Sequence, residues 1–331
     1  MTDTAIGRFS SYSAELIFDR SQYQGTLFSV SNEIATQDFF LRRSKTHIAA
    51  MGLLVKQVYD MAHIEDTDYS KNRENAANIG SLILLLTDIV DDQIDISDMP
   101  IEEKFRYLDQ GMSVLLDGEV APPETAYPVK SDKQTIRASF DLATHLHGRL
   151  LGLDGIESLR NVMEPLVADI KEQFISKDLS RQLALAKSIG ANCGLTAVVA
   201  TELVDGTDYQ PSIIEAAKGI GAYAQCLDNG YEIRKDIKED SITYATLLIN
   251  QQGNTVKNRR LAKDVLTNQA QLSYEEGGLG LNHSQSVIYT AAKKLITAKY
   301  KIYGRLTDYQ PMFNMSVKRG LEGVTYVRST N

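Results

Sequence analysis

Proline is scarce in this chain of 331 residues: there are seven, and three of them fall inside one segment, 117–133, which reads DGEVAPPETAYPVKSDK. Because proline removes a backbone donor and obstructs the preceding helical turn, its scarcity leaves long stretches free to coil. Those stretches carry core-type residues at helical spacing: Leu53, Leu54, Val58 and Met61, then Leu142, His145 and Leu150, then Ile213, Ala216, Ile220 and Tyr223. No stretch shows the sustained alternation and turn signals of a hairpin. The fold expected is all-α, a single helical domain over 1–331, with 1–35 as a peripheral N-terminal segment and 117–133 as a surface loop. Helix boundaries are expected at Pro100, at Asp208 to Pro211 and in EEGGLG, 275–280.

The balance of 43% apolar and 24% charged residues is that of a globular protein with a sizeable core. A net charge of −8 without a basic block argues against nucleic acid as a partner. No stretch reads as a signal peptide or a membrane span, so the cytoplasm is the expected address. Two cysteines without CxxC spacing and five scattered histidines suggest neither a disulfide framework nor a zinc site.

The unusual charge lies in LLLTDIVDDQIDISDM, 84–99, where an apolar run meets Asp88, Asp91, Asp92, Asp95 and Asp98. On a helix, Asp88, Asp91, Asp92 and Asp95 share one stripe. The next basic residue is Lys104, so nothing nearby in sequence neutralises them. Hard divalent cations take oxygen ligands, and Mg²⁺ favours one or two carboxylates completed by water and phosphate. A solvated acidic helix end is the plain alternative. A second stripe follows in QCLDNGYEIRKDIKED, 225–240, where Gln225, Asp228 or Asn229, Glu232, Asp236, and Glu239 or Asp240 would share a helical face. Here Arg234, Lys235 and Lys238 are interleaved, so ion pairing on a surface helix competes with a ligand role. Apolar sequence surrounds both stripes, which makes them candidate walls of one cavity.

These two segments resemble the class I isoprenoid (terpenoid) synthases. DDQID, Asp91 to Asp95, is similar to the DDxxD motif, and QCLDNGYE looks like the QxxDDxxD motif with Asn229 and Glu232 as replacements. EIRKDIKED also resembles the NxxRDxxED block of squalene and phytoene synthases. AKSIGANCGL, Ala186 to Leu195, is similar to the small-residue helix upstream of the second motif. The RRG triplet and GKxxR element of chain-elongating synthases are missing, with LRRSKTH, Leu41 to His47, only a loose substitute; the NDxxSxxxE triad of terpene cyclases is missing too.

The resemblance implies a helical bundle around a central cavity, acting on a linear prenyl diphosphate with three Mg²⁺ ions bound alongside the diphosphate. It implies Asp91, Asp92 and Asp95 as catalytic carboxylates. Metal ligands would come from these with Asp88, Asp228, Asn229, Glu232, Asp236 and Asp240, and diphosphate contacts from Gln225, Arg234 and Lys235. The first expectation is a terpene cyclase that ionises one substrate and releases diphosphate. Alternatives are a prenyltransferase joining two prenyl units and a non-catalytic acidic protein that binds metal or a partner. A homodimer is compatible with the resemblance. Gly190, Ala191, Asn192 and Gly194 fit either a thin pocket wall or, more simply, a close helix crossing.

Overall fold

The computed structural model describes residues 45–64, 70–96, 99–123, 126–127, 133–206 and 208–307. Asp98, the 1–35 segment, most of LRRSKTH and parts of 124–132 lie outside the described residues, as do the side chains of Asp88, Asp91, Asp92, Asp95, Glu239 and Arg305. Among the described residues the secondary structure is eleven α-helices and one π-helical turn, with no strand. In order they are α1 (Lys45–Ala62), α2 (Ser70–Ile96), α3 (Ile101–Met112), the π turn (Ser113–Asp117), α4 (Lys133–Leu151), α5 (Ile156–Ile175), α6 (Leu179–Asp205), α7 (Pro211–Tyr231), α8 (Ile233–Glu239), α9 (Tyr244–Gln252), α10 (Val256–Gly277) and α11 (His283–Thr307).

Helix ends follow local chemistry. Asp178 caps α6 by accepting the Arg181 amide at 2.9 Å, and Gly206, at φ 70°, closes its other end in the left-handed region. Pro211 occupies the first turn of α7, where its missing N–H costs nothing. Thr243 and Thr246 cap α9 reciprocally, and Thr255 caps α10. Pro100 precedes α3 and Gly277 ends α10, as expected from sequence. Pro165 departs from that pattern: it sits inside α5 at an exposed position, one turn after exposed Asn161, where water can substitute for the lost hydrogen bond.

At the centre α6 packs against α1, α2, α5 and α7. It is, among the described residues, the one helix long and apolar enough to cross a membrane, and in this fold its apolar side chains fill the core. The α6–α7 contact is made through glycine. A Cβ on Gly194 would lie 2.0 Å from the Ala217 carbonyl oxygen, and one on Gly221 would lie 2.0 Å from that of Gly190. The small-residue run is therefore a close backbone crossing and not a pocket wall. A buried polar clip pins the far end of this layer: Asp205 Oδ2 accepts from Tyr209 at 2.9 Å and lies 2.6 Å from His63 Nε2, while His63 stacks on Tyr59. It joins α1 to the turn between α6 and α7.

Candidate functional site

Helix α2 carries the first acidic stripe at its C-terminal end. Its apolar face before that stripe forms one wall of an apolar pocket that opens to solvent. Leu86, Thr87 and Val90 of α2 meet Tyr107, Leu108, Gly111 and Met112 of α3, Leu115 of the π turn, Ser139 of α4 and Met163, Leu166, Val167 and Ile170 of α5. Only three of these side chains have a polar atom to offer by hydrogen bond, and each is already engaged. Thr87 donates to the Leu84 carbonyl at 2.7 Å, Ser139 donates to the Ile136 carbonyl at 2.7 Å, and the Tyr107 hydroxyl donates to Ser139 Oγ at 2.5 Å. What the pocket presents is hydrocarbon, beginning in the helical turn just before Asp91 and Asp92. The ammonium of Lys104, the nearest basic residue in sequence, lies over the Phe174 ring, 5.1 Å from the centroid.

The second stripe sits on a broken helix. Sequence spacing predicts one continuous face from Gln225 to Asp240; instead α7 ends at Tyr231 and Glu232, at φ −94° and ψ 6°, joins it to the short α8. The bend follows from packing. Ile233, 5% exposed, turns into an apolar cluster with Tyr244, Leu248, Ile249 and Leu266, and burying it outweighs helix continuity. Asp240 falls past the end of α8 in the left-handed region at φ 56°, exposed and off the predicted face.

The break sorts the carboxylates. Asp228 is half-buried on the last turn of α7, and Glu232, with a side chain 15% exposed, is 3.1 Å from Lys235 Nζ. Asp236 is buried and accepts from Thr243 at 3.2 Å, which ties α8 to the capped start of α9. Arg234 is exposed. Gln225 Nε2 donates to Asn229 Oδ1 at 3.1 Å, and Asn229 is buried. Tyr223 packs in the core with its hydroxyl 2.6 Å from Thr297 Oγ1, Tyr244 is buried, and Tyr231 stacks on Tyr300 beneath the Lys263 ammonium.

Among the described residues no three His, Cys, Asp or Glu side chains assemble into a metal cluster. The second stripe does supply two partly buried carboxylates four residues apart, Asp228 and Glu232. That donor set suits Mg²⁺, which takes one or two carboxylates and completes its shell with water and phosphate oxygens. These two carboxylates therefore fit a Mg²⁺ site completed by water or phosphate oxygens.

No protein-family model matches the sequence, and no curated protein matches it. Solved structures do match. A geranylgeranyl pyrophosphate synthetase from the archaeon Geoglobus acetivorans superposes with a TM-score of 0.53 at 14% identity, covering 87% of this chain and 99% of that one. The fold is that of the isoprenoid synthases. A geranylgeranyl pyrophosphate synthase from Corynebacterium glutamicum, complexed with isoprenyl diphosphate and magnesium, gives 0.49 at 11% identity over 84% of this chain and 97% of its own. Within the isoprenoid-synthase fold of this chain, the pocket walls on α3, the π turn and α5 went unnamed in the sequence reading. Their signal was available as apolar spacing in Ile101–Met112 and Ile156–Ile175, but nothing in spacing alone pairs those faces with α2.

Proposed function

We propose that this protein is a Mg²⁺-dependent enzyme that ionises a linear prenyl diphosphate, and that it acts as a prenyltransferase which lengthens the chain. The observation that carries this reading is the apolar pocket that starts one helical turn before Asp91 and Asp92. An amphiphile with a diphosphate head and a long hydrocarbon tail matches a carboxylate stripe continued by a hydrocarbon slot. The tail would lie along Leu86 and Val90, between Met112 of α3 and Ile170 of α5.

Asp91, Asp92 and Asp95 on α2, with Asp228 on α7 and Glu232 at the bend after it, would hold the Mg²⁺ ions. When bound, those ions supply positive charge to a diphosphate that leaves with both electrons of the allylic C–O bond. The chain's own residues then have three tasks. The carboxylates would fix the head, the pocket would exclude water, and Lys235, now paired with Glu232, would turn to the diphosphate oxygens. Asp236 has a supporting place in this scheme, since its bond to Thr243 orients α8 behind Glu232.

The lining favours elongation. A cyclase steers a cation with aromatic faces, whereas this pocket has one ring, Tyr107, among aliphatic side chains. The likeness of the fold to a geranylgeranyl pyrophosphate synthetase supports the same choice. The cyclase reading keeps one observation in its favour, the absence of RRG and GKxxR, the elements that grip a second diphosphate.

The deciding experiment incubates purified protein with Mg²⁺ and linear prenyl diphosphates of increasing length, with and without isopentenyl diphosphate, and reads products by mass spectrometry. Longer prenyl diphosphates formed only with isopentenyl diphosphate are the expected result. Hydrocarbon or alcohol from a single substrate would make it a cyclase, and no diphosphate release from any substrate would remove both readings. Asp91→Asn and Asp92→Asn are each expected to slow diphosphate release by about 10²-fold or more.

A further inference from the structure

The α6–α7 crossing sets a register that extends beyond its glycines. Gly194 meets Ala217 and, one turn on, Gly190 meets Gly221. Followed two turns further in the same antiparallel sense, that register places Gln182 opposite Asn229. It holds to the end of the pair, because Leu179 and Leu183 of α6 pack in the cluster that contains Ile233.

Both residues are buried, Gln182 at 0% and Asn229 at 7% exposure. Gln182 cannot be turned round: its Nε2 donates to the carbonyls of Gln173 at 2.7 Å and Ser176 at 3.0 Å, at the corner between α5 and α6. Its Oε1 is buried without a hydrogen-bond partner among the described residues. On the other helix, Asn229 Oδ1 is taken by Gln225, and its buried Nδ2 likewise has no partner among them. One acceptor and one donor, which the extended register brings to matching turns of the two helices, are each left unsatisfied. A buried orphan of this kind costs about 1–3 kcal/mol, and joining the two removes both costs. The backbone couples the site to this turn, because the Glu232 amide donates to the Asp228 carbonyl at 2.9 Å and a shift of the last turn of α7 carries Glu232 with it.

We propose that Gln182 is a positioning residue for the second acidic stripe. Its Oε1 accepts the Asn229 Nδ2–H when the last turn of α7 closes on α6, and that contact sets Asp228 and Glu232, which flank Asn229, to receive Mg²⁺ and diphosphate. Asn229 is then a latch and not a ligand, contrary to what its place in the motif implies. The proposal rests on the Mg²⁺–diphosphate reading of the site.

The test is isothermal titration calorimetry of inorganic diphosphate into the full-length protein in Mg²⁺ buffer. Asn229→Asp separates the two roles by sign. An added carboxylate tightens binding if position 229 is a ligand, and weakens it about tenfold if the group must face the Gln182 oxygen. Gln182→Met and Asn229→Leu are each expected to weaken binding about tenfold, with the double variant no weaker than either single one. Tighter binding by Asn229→Asp, or single effects that multiply to about a hundredfold in the double variant, overturns the proposal. If Gln182→Met does not fold, Asn229→Asp carries the test alone. Wild-type protein that binds no Mg²⁺–diphosphate defeats the reading of the site, and the proposal with it; wild-type binding with all variants unchanged defeats the proposal only.

Discussion

Gly194 shows how little freedom one residue can have. The atom its Cβ would strike is a main-chain oxygen, which cannot rotate away, so even alanine must push α6 and α7 apart along their whole contact. Gly194→Ala is expected to cost at least about 2 kcal/mol, measured as a lower urea midpoint with little change in slope. At this scale the sequence was partly readable. A run of small residues announces a close crossing, and the structure places one there. Asp236 was not separable from Asp228 and Glu232, because all three recur at helical spacing and only the turn at Glu232 gives Asp236 to Thr243.

Elements rather than residues make the pocket. Helix α3 contributes Gly111, whose missing side chain leaves open space: a Cβ there meets nothing within 4 Å. Replacing it with leucine is expected to keep or raise stability, by up to about 1 kcal/mol from helix propensity, while filling the slot. On the transferase reading, Gly111→Leu then yields shorter products in the mass-spectrometric assay, with diphosphate release from short substrates preserved. The presence and type of the helices were legible because 3.6-residue periodicity is strong in this chain, and so were the ends marked by Pro100, Pro211 and Gly277. The kink after Tyr231 was not. It depends on what Ile233 gains by reaching Tyr244 and Leu266, a contact between elements that sequence spacing does not encode. Pro165 carries the same lesson with the opposite sign, since a residue that usually stops a helix is accommodated where solvent meets the helix face.

For the molecule as a whole, the core holds one thiol and several phenols in their neutral forms. Burial pushes the Cys226 thiol up to about 12, and burial raises the phenols of Tyr209, Tyr223, Tyr244 and Tyr289 above the ordinary range. The unfolded chain would release these protons near pH 8.5 for thiol and 10 for phenol, roughly. The folded state retains them, so it binds more protons than the unfolded state once pH exceeds those values. Stability contributed by these groups is thus complete below about pH 8.5 and declines as pH rises toward their folded values. Urea unfolding across pH 7 to 11 is expected to show a plateau followed by a fall, with no matching loss caused by these groups on the acid side. The isoprenoid-synthase type of bundle was legible through the two acidic motifs, whereas the place of α6 at its middle was not, because which helix takes the centre depends on contacts between distant segments. One consequence of the pocket concerns error. Since Thr87, Tyr107 and Ser139 spend their hydrogen bonds within the wall, the slot carries no label by which to recognise a functional group on its occupant. On the transferase reading it would act as a ruler, and its mistakes would be mistakes of measurement, off by one repeating unit of hydrocarbon rather than by a change of chemistry.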